Sequence, residues 1–165
     1  MTKKTSISLV VAFAALFTAG SLFAHHSFVQ FDGEKIVNLK GVVTRFAWVN
    51  PHSLIFVDAK GVDGKVEHWA LEGPAINQLV RLGFSQSSIK PGETVEACGY
   101  VTKDGVQPIK GDADSGASGR IINVELLKLP DGENRLWQDY GKRKCRDAQP
   151  EGVTFRREFG VQRTN

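Results

Sequence analysis

The chain has 165 residues, 41% of them hydrophobic and 24% charged, with a formal net charge of +3. Two of those positive charges, Lys3 and Lys4, belong to the extreme amino terminus, so the remainder is near +1. That balance gives no argument for nucleic acid or an anionic membrane surface, and no nucleic-acid partner is expected.

The first residues have the pattern of a Sec-type export signal. Lys3-Lys4 form a positive start, and Ile7 to Phe17 form an apolar run. Thr18, Ala19, Gly20, Ser21 and Ala24 supply small residues for cleavage. A cut after Ser21 fits the small-residue rule better, with Ala19 and Ser21 in place. A cut after Ala24 has Leu22 three places back. An uncleaved membrane anchor is the alternative, but the run is short for a span. Residues 1–24 are read as a signal peptide, and the product as a soluble protein of a bacterial periplasm or exterior, not an integral membrane protein. About 140 residues then remain, the size of one domain.

If the cut follows Ala24, His25 is the mature terminus. Its free α-amine, its imidazole and that of His26 are then adjacent, which suits a transition metal. The competing reading is a frayed terminus. Phe28 and Phe31 are positioned to pin this lead-in to the domain, and Asp32-Gly33 is a turn signal.

A strand is expected from about Ile36 to Val49, rich in β-branched and aromatic residues, with Gly41 marking a bend or bulge. Asn50-Pro51-His52 turns the chain. A second strand runs from about Ser53 to Ala59, and Gly61-Val62-Asp63-Gly64 returns it into a third from Lys65 to Leu71. The period then changes. Pro74 to Gly83 reads as a helix with an apolar stripe of Ile76, Leu79, Val80 and Leu82, opened by Pro74 and closed by Gly83. Glu93–Val101 and Ile121–Leu129 are two further strands, separated by a flexible loop over 111–119. Three meandering strands, a helix and two strands is the order of a small OB-like β-barrel. The fold class is therefore mainly β, with the barrel over 25–130; the alternative is a generic α+β domain on a curved sheet.

Residues 131–165 form a basic carboxy-terminal extension. Lys142-Arg143-Lys144, Arg146 and Arg156-Arg157 point to a solvated surface or mobile end. Trp137, Tyr140 and Phe155 point to partial packing. Cys98 and Cys145 make no CxxC motif. They are read either as a disulfide, which would contribute roughly 4 kcal/mol, or as a buried Cys98 and a free Cys145.

Two more residues are candidates for a metal set. Centring the second hairpin on Val62-Asp63 puts Glu72 opposite Ser53, beside His52. Centring the first on Pro51 puts Trp48 at the same end. His25, His26, His52 and Glu72 are thus the candidate ligands, with copper or zinc as the metal. Each has a plainer role: His52 as a turn residue satisfying backbone groups, Glu72 as a carboxylate near a helix start. His68, four residues from Glu72 and roughly 13 Å away along the strand, is read as a surface residue. Asp112 and Asp114 start like a calcium loop but lack its glycine and closing glutamate. No Walker loop, dinucleotide fingerprint, nucleophile elbow or HExxH occurs, and no catalytic residue is assigned.

Several pieces occur together in order: His25-His26-Ser27-Phe28, Phe31-Asp32, Gly41-Val42-Val43, Trp48-Val49-Asn50-Pro51-His52-Ser53, Trp69-Ala70-Leu71-Glu72, Leu79 to Gly83 and Lys90-Pro91-Gly92. In these the chain resembles a family of secreted bacterial proteins known only as a domain of unknown function, over roughly residues 24–130. The resemblance implies an exported small β-domain and carries no activity to transfer.

Three functions follow as expectations. The first is a periplasmic binding module whose histidine-rich end holds a transition metal. The second is a metal-independent module that binds an envelope protein or small ligand through the barrel face and the 111–119 loop. The third is a copper oxidative enzyme, because an amino-terminal His with a distant second His resembles the histidine brace of copper monooxygenases.

Overall fold

The computed structural model describes residues 27–104 and 120–150. A short 3-10 turn, Ser27–Gln30, leads into strand β1 (Phe31–Ala47). β1 is long because it serves two partners. Its first part pairs antiparallel with β4 (Thr94–Thr102), and its second part with β2 (Leu54–Lys60). Gly41 belongs to both ladders, facing Ala59 on one side and Val95 on the other. A Cβ there would lie 3.0 Å from the Asp58 carbonyl and from Val57, so the glycine marks a close approach. The bulge itself falls later, between Val43 and Arg45.

The Asp32-Gly33 turn signal is absorbed into β1. Asp32 Oδ1 accepts a hydrogen bond from Glu34 N at 2.9 Å, and the register shifts between Phe31 and Ile36. The local turn chemistry forms, but β4 captures the chain on both sides of it.

β2 returns into β3 (Val66–Glu72). Lys60 pairs with Val66, so the connection is centred on Asp63 rather than on Val62-Asp63. Glu72 therefore stands opposite Leu54, one place from the predicted Ser53. Asp63 sets this turn by accepting from Lys65 N at 3.0 Å.

Helix α1 is shorter than its sequence pattern, Ile76–Arg81. Gly83, at φ 81°, ends it. Gly83 N bonds to Val80 O and Phe84 N to Leu79 O, the paired bonds of a Schellman cap. In so short a helix only Leu79 faces fully inward, and Val80 is 58% exposed. Phe84, delivered by the cap, takes the place in the core that Val80 does not fill.

β5 (Arg120–Lys128) pairs antiparallel with β4 and, over Trp69–Glu72, parallel with β3. Hydrogen bonds thus run in a ring, β1-β2-β3-β5-β4 and back to β1. Inside it lie Val43, Ile55, Val57, Leu71, Val95, Ile122, Val124 and Leu127, all essentially buried. Each such side chain contributes about 1.5–3 kcal/mol of burial free energy.

Half of the extension packs as a second layer. β6 (Asn134–Leu136) adds to the free edge of β5, and α2 (Lys144–Asp147) follows. Cys98 and Cys145 are joined in a disulfide, with Cα atoms 5.7 Å apart. The bridge sits in a small apolar cluster with Ile36, Leu126 and Leu136. Along β5, Ile122 and Val124 join the main core. Asn123 and Glu125, which alternate with them, are buried under the extension instead. Among the described residues no helix is long and apolar enough to cross a membrane.

Candidate functional site

The Asn50-Pro51-His52 turn, with a cis peptide between Asn50 and Pro51, carries β1 toward β2. It is tied to the segment after β3 by four hydrogen bonds. Asn50 Oδ1 accepts from Ile76 N at 3.2 Å, at the start of α1. The Pro74 carbonyl accepts from both Ser53 N and Ser53 Oγ, at 3.1 and 2.8 Å. Gly73 N donates to Ser53 O at 2.8 Å. These bonds clamp His52 beside the end of β3.

His52 Nδ1 lies 3.7 Å from Glu72 Oε1 and 3.4 Å from the Gly73 carbonyl. The predicted neighbours are thus brought together despite the one-residue difference in register. The imidazole is part-exposed, and Glu72 is only 6% exposed. Asn123, across the parallel pair from Glu72, donates its Nδ2 to Glu72 Oε1 at 3.0 Å. Its own Oδ1 is buried with no hydrogen-bond partner among the described residues. Gln138, from the extension, donates Nε2 to the Glu72 carbonyl at 2.9 Å. Trp137 closes the cluster from above. A Cβ on Gly73 would come 2.3 Å from Trp137 Nε1 and 2.6 Å from Ser53 Oγ, so only glycine fits there.

Trp48, one residue past the Ala47–Leu54 pair, stands at the same end as Glu72, where it packs edge-on against Phe46 at 5.5 Å. The other expected residues fall elsewhere. His68 lies on the sheet surface, directly opposite Asp58, with its Nδ1 2.6 Å from Asp58 Oδ1. His25 and His26 lie outside the described residues, as do the signal segment, the 111–119 loop with Asp112 and Asp114, and Phe155. Among the described residues no group of three or more His, Cys, Asp and Glu side chains is placed to hold a metal ion.

Sequence reasoning did not find Asn123, Gln138 or Trp137 as members of this cluster. The one available signal was Asn123 and Glu125 interrupting the apolar run from Ile121 to Leu127. Such alternation marks a strand with a polar face, and here that face is covered.

Burial pushes the Glu72 carboxyl above its usual range, while the His52 imidazole and the Asn123 amide pull the other way. In the unfolded chain the group ionises near 4.5, whereas the folded group keeps its proton to higher pH. Between those two values the unfolded state holds fewer protons, so stability falls as pH rises. Glu72→Gln removes that contribution. In urea titrations from pH 4 upward, the variant is expected to show a flatter stability curve than the native protein. Parallel curves would show that Glu72 ionises normally.

No curated protein matches the chain. A family match spans residues 14–110, which takes in His25, His26, His52 and Glu72 and stops short of Asn123, Gln138 and the whole second layer. On that match the chain belongs to a family of unknown function, DUF6152.

Proposed function

We propose that this protein is an exported OB-like β-barrel binding module that holds a transition metal, copper or zinc, at the end where His52 meets Glu72. The OB reading is supported by the ring order and by a helix lying between β3 and β4. The single observation that carries the metal reading is the His52–Glu72 pair, an imidazole nitrogen and a carboxylate oxygen 3.7 Å apart. Neighbouring ligands on one ion stand roughly 3.0 Å apart in a square plane and roughly 3.4 Å apart in a tetrahedron, given bonds of about 2.1 Å, so little movement is needed. Asn123, whose Nδ2 holds the carboxylate, also carries a buried Oδ1 with no hydrogen-bond partner among the described residues.

A chain of contacts links the first described residues to the end of β3. Phe28 stacks on Tyr140 with ring centroids 4.9 Å apart. Tyr140 OH donates to Gln138 Oε1 at 2.6 Å, and Gln138 in turn holds the Glu72 carbonyl.

The test is the intact mass of the exported protein with and without added copper. A mature start at His25 and a one-to-one adduct, weakened at least tenfold in His52→Ala, are the expected results. No adduct, or one indifferent to His52, would end the metal reading and favour the metal-independent envelope module. A start at Gly20 or Leu22 would remove the copper-enzyme alternative.

A further inference from the structure

Two cysteines and one methionine are the sulfur-bearing residues of the chain. Both cysteines are used in the Cys98–Cys145 bridge, which is buried in its own apolar cluster. The methionine is Met1, ahead of the apolar run read as an export signal. A chain cut after Ser21 or Ala24 thus offers a metal neither thiolate nor thioether.

The end of the barrel where His52 meets Glu72 offers nitrogen and oxygen instead. His52 Nδ1 has Glu72 Oε1 at 3.7 Å and the Gly73 carbonyl at 3.4 Å, one nitrogen flanked by two oxygens. The other described histidine, His68, is engaged by Asp58 and stands four residues from Glu72 along β3, so it brings no second imidazole. Thiolate and thioether select Cu(I), whereas mixed nitrogen and oxygen sets are those of Cu(II).

Burial sharpens the choice. Glu72 is 6% exposed, and no Lys or Arg among the described residues pairs with it. A carboxylate out of water needs positive charge close by, and a divalent ion supplies twice the attraction of a monovalent one.

We propose that this site selects the oxidised metal: it binds Cu(II), and zinc of the same charge, and holds Cu(I) weakly. The inference rests on the metal reading above and adds the oxidation state to it. A bound copper is then given up when a one-electron reductant turns Cu(II) into Cu(I). The electron goes to the metal, and the disulfide stays intact.

The test measures both affinities of the purified exported protein by competition, with glycine for Cu(II) in air and with bicinchoninate for Cu(I) under nitrogen. Cu(II) is expected to bind at least a hundredfold tighter, and ascorbate is expected to pass bound copper to bicinchoninate. Glu72→Gln keeps the shape of the side chain and an oxygen for Asn123. It is expected to weaken Cu(II) at least tenfold and leave Cu(I) unchanged. His68→Ala is expected to alter neither. Cu(I) binding as tight as Cu(II) would overturn the selectivity and leave the metal reading standing, with further imidazoles holding the ion. An unchanged affinity ratio in Glu72→Gln would overturn it as well. Binding of neither ion would end the metal reading itself, and this inference with it.

Discussion

Replacing Cys98 and Cys145 together with alanine is expected to lower the unfolding free energy by about 4 kcal/mol. The bridge spans 47 residues, so the unfolded chain regains a large loop when it is lost. The two sulfurs also sit among Ile36, Leu126 and Leu136, where removal leaves a void. Urea unfolding of the oxidised native protein and the double variant measures the change. The slope should also rise, because an uncrosslinked unfolded chain exposes more surface. A loss below about 1 kcal/mol would mean that the second layer is held by its polar contacts and hardly by the bridge.

The second large effect concerns Glu125, a carboxylate only 2% exposed beneath that layer. It accepts from Tyr100 OH at 2.5 Å, from Cys145 N at 3.2 Å and from Arg146 Nε at 2.6 Å. Burial and this carboxylate hold the Tyr100 phenol well above its ordinary range, so it remains a donor at every physiological pH. Glu125→Ala strands two donors, Tyr100 OH and Cys145 N, and takes one of two carboxylate partners from Arg146. Loss of one partner of a buried pair costs about 3–5 kcal/mol, and the contact of Arg146 with Asp139 sets the expectation near the lower figure. Arg146→Met with Glu125→Ala should cost clearly less than the two single changes added, since each single variant already removes the contact that the two side chains share. Additive losses would show that the pair is not coupled.

The succession of the first five strands and of α1 along the chain was legible because each carries its own local period. Strands alternate, and the Pro74–Gly83 segment does not. The end of α1 was legible for the same reason, as Gly83 is the residue a left-handed cap demands. Register was legible to within one residue. The difference arose because a loop centred on Asp63 and one centred between Val62 and Asp63 look alike until the Asp63 side chain chooses. His52 and Glu72 were found as neighbours because both sit at hairpin ends, where pairing arithmetic is short. Asn123 was not, because its nearness to Glu72 comes from a parallel pairing between distant segments, which no turn announces. The extension was legible in part, through Trp137, Tyr140 and the two cysteines. Lys142, Arg143 and Lys144 give it the composition of a solvated tail, yet Cys145 and Arg146 in the same run are anchors. Charge counts average over residues, whereas packing depends on which few of them find a partner.

The parallel pairing of β3 with β5 also bears on how the protein is made. It joins Trp69 to Arg120, contacts so far apart in the chain that their loop entropy must be met before any stabilisation returns. Until β5 arrives, both β3 and β4 present unpaired backbone along one side, the kind of edge that recruits a second copy. The segment matched by the family ends at residue 110, before β5 begins at Arg120. The matched segment is thus shorter than the unit that must fold. A newly emerging chain keeps two adhesive edges until Lys128 has followed, and during that interval it is most exposed to self-association and most in need of a chaperone.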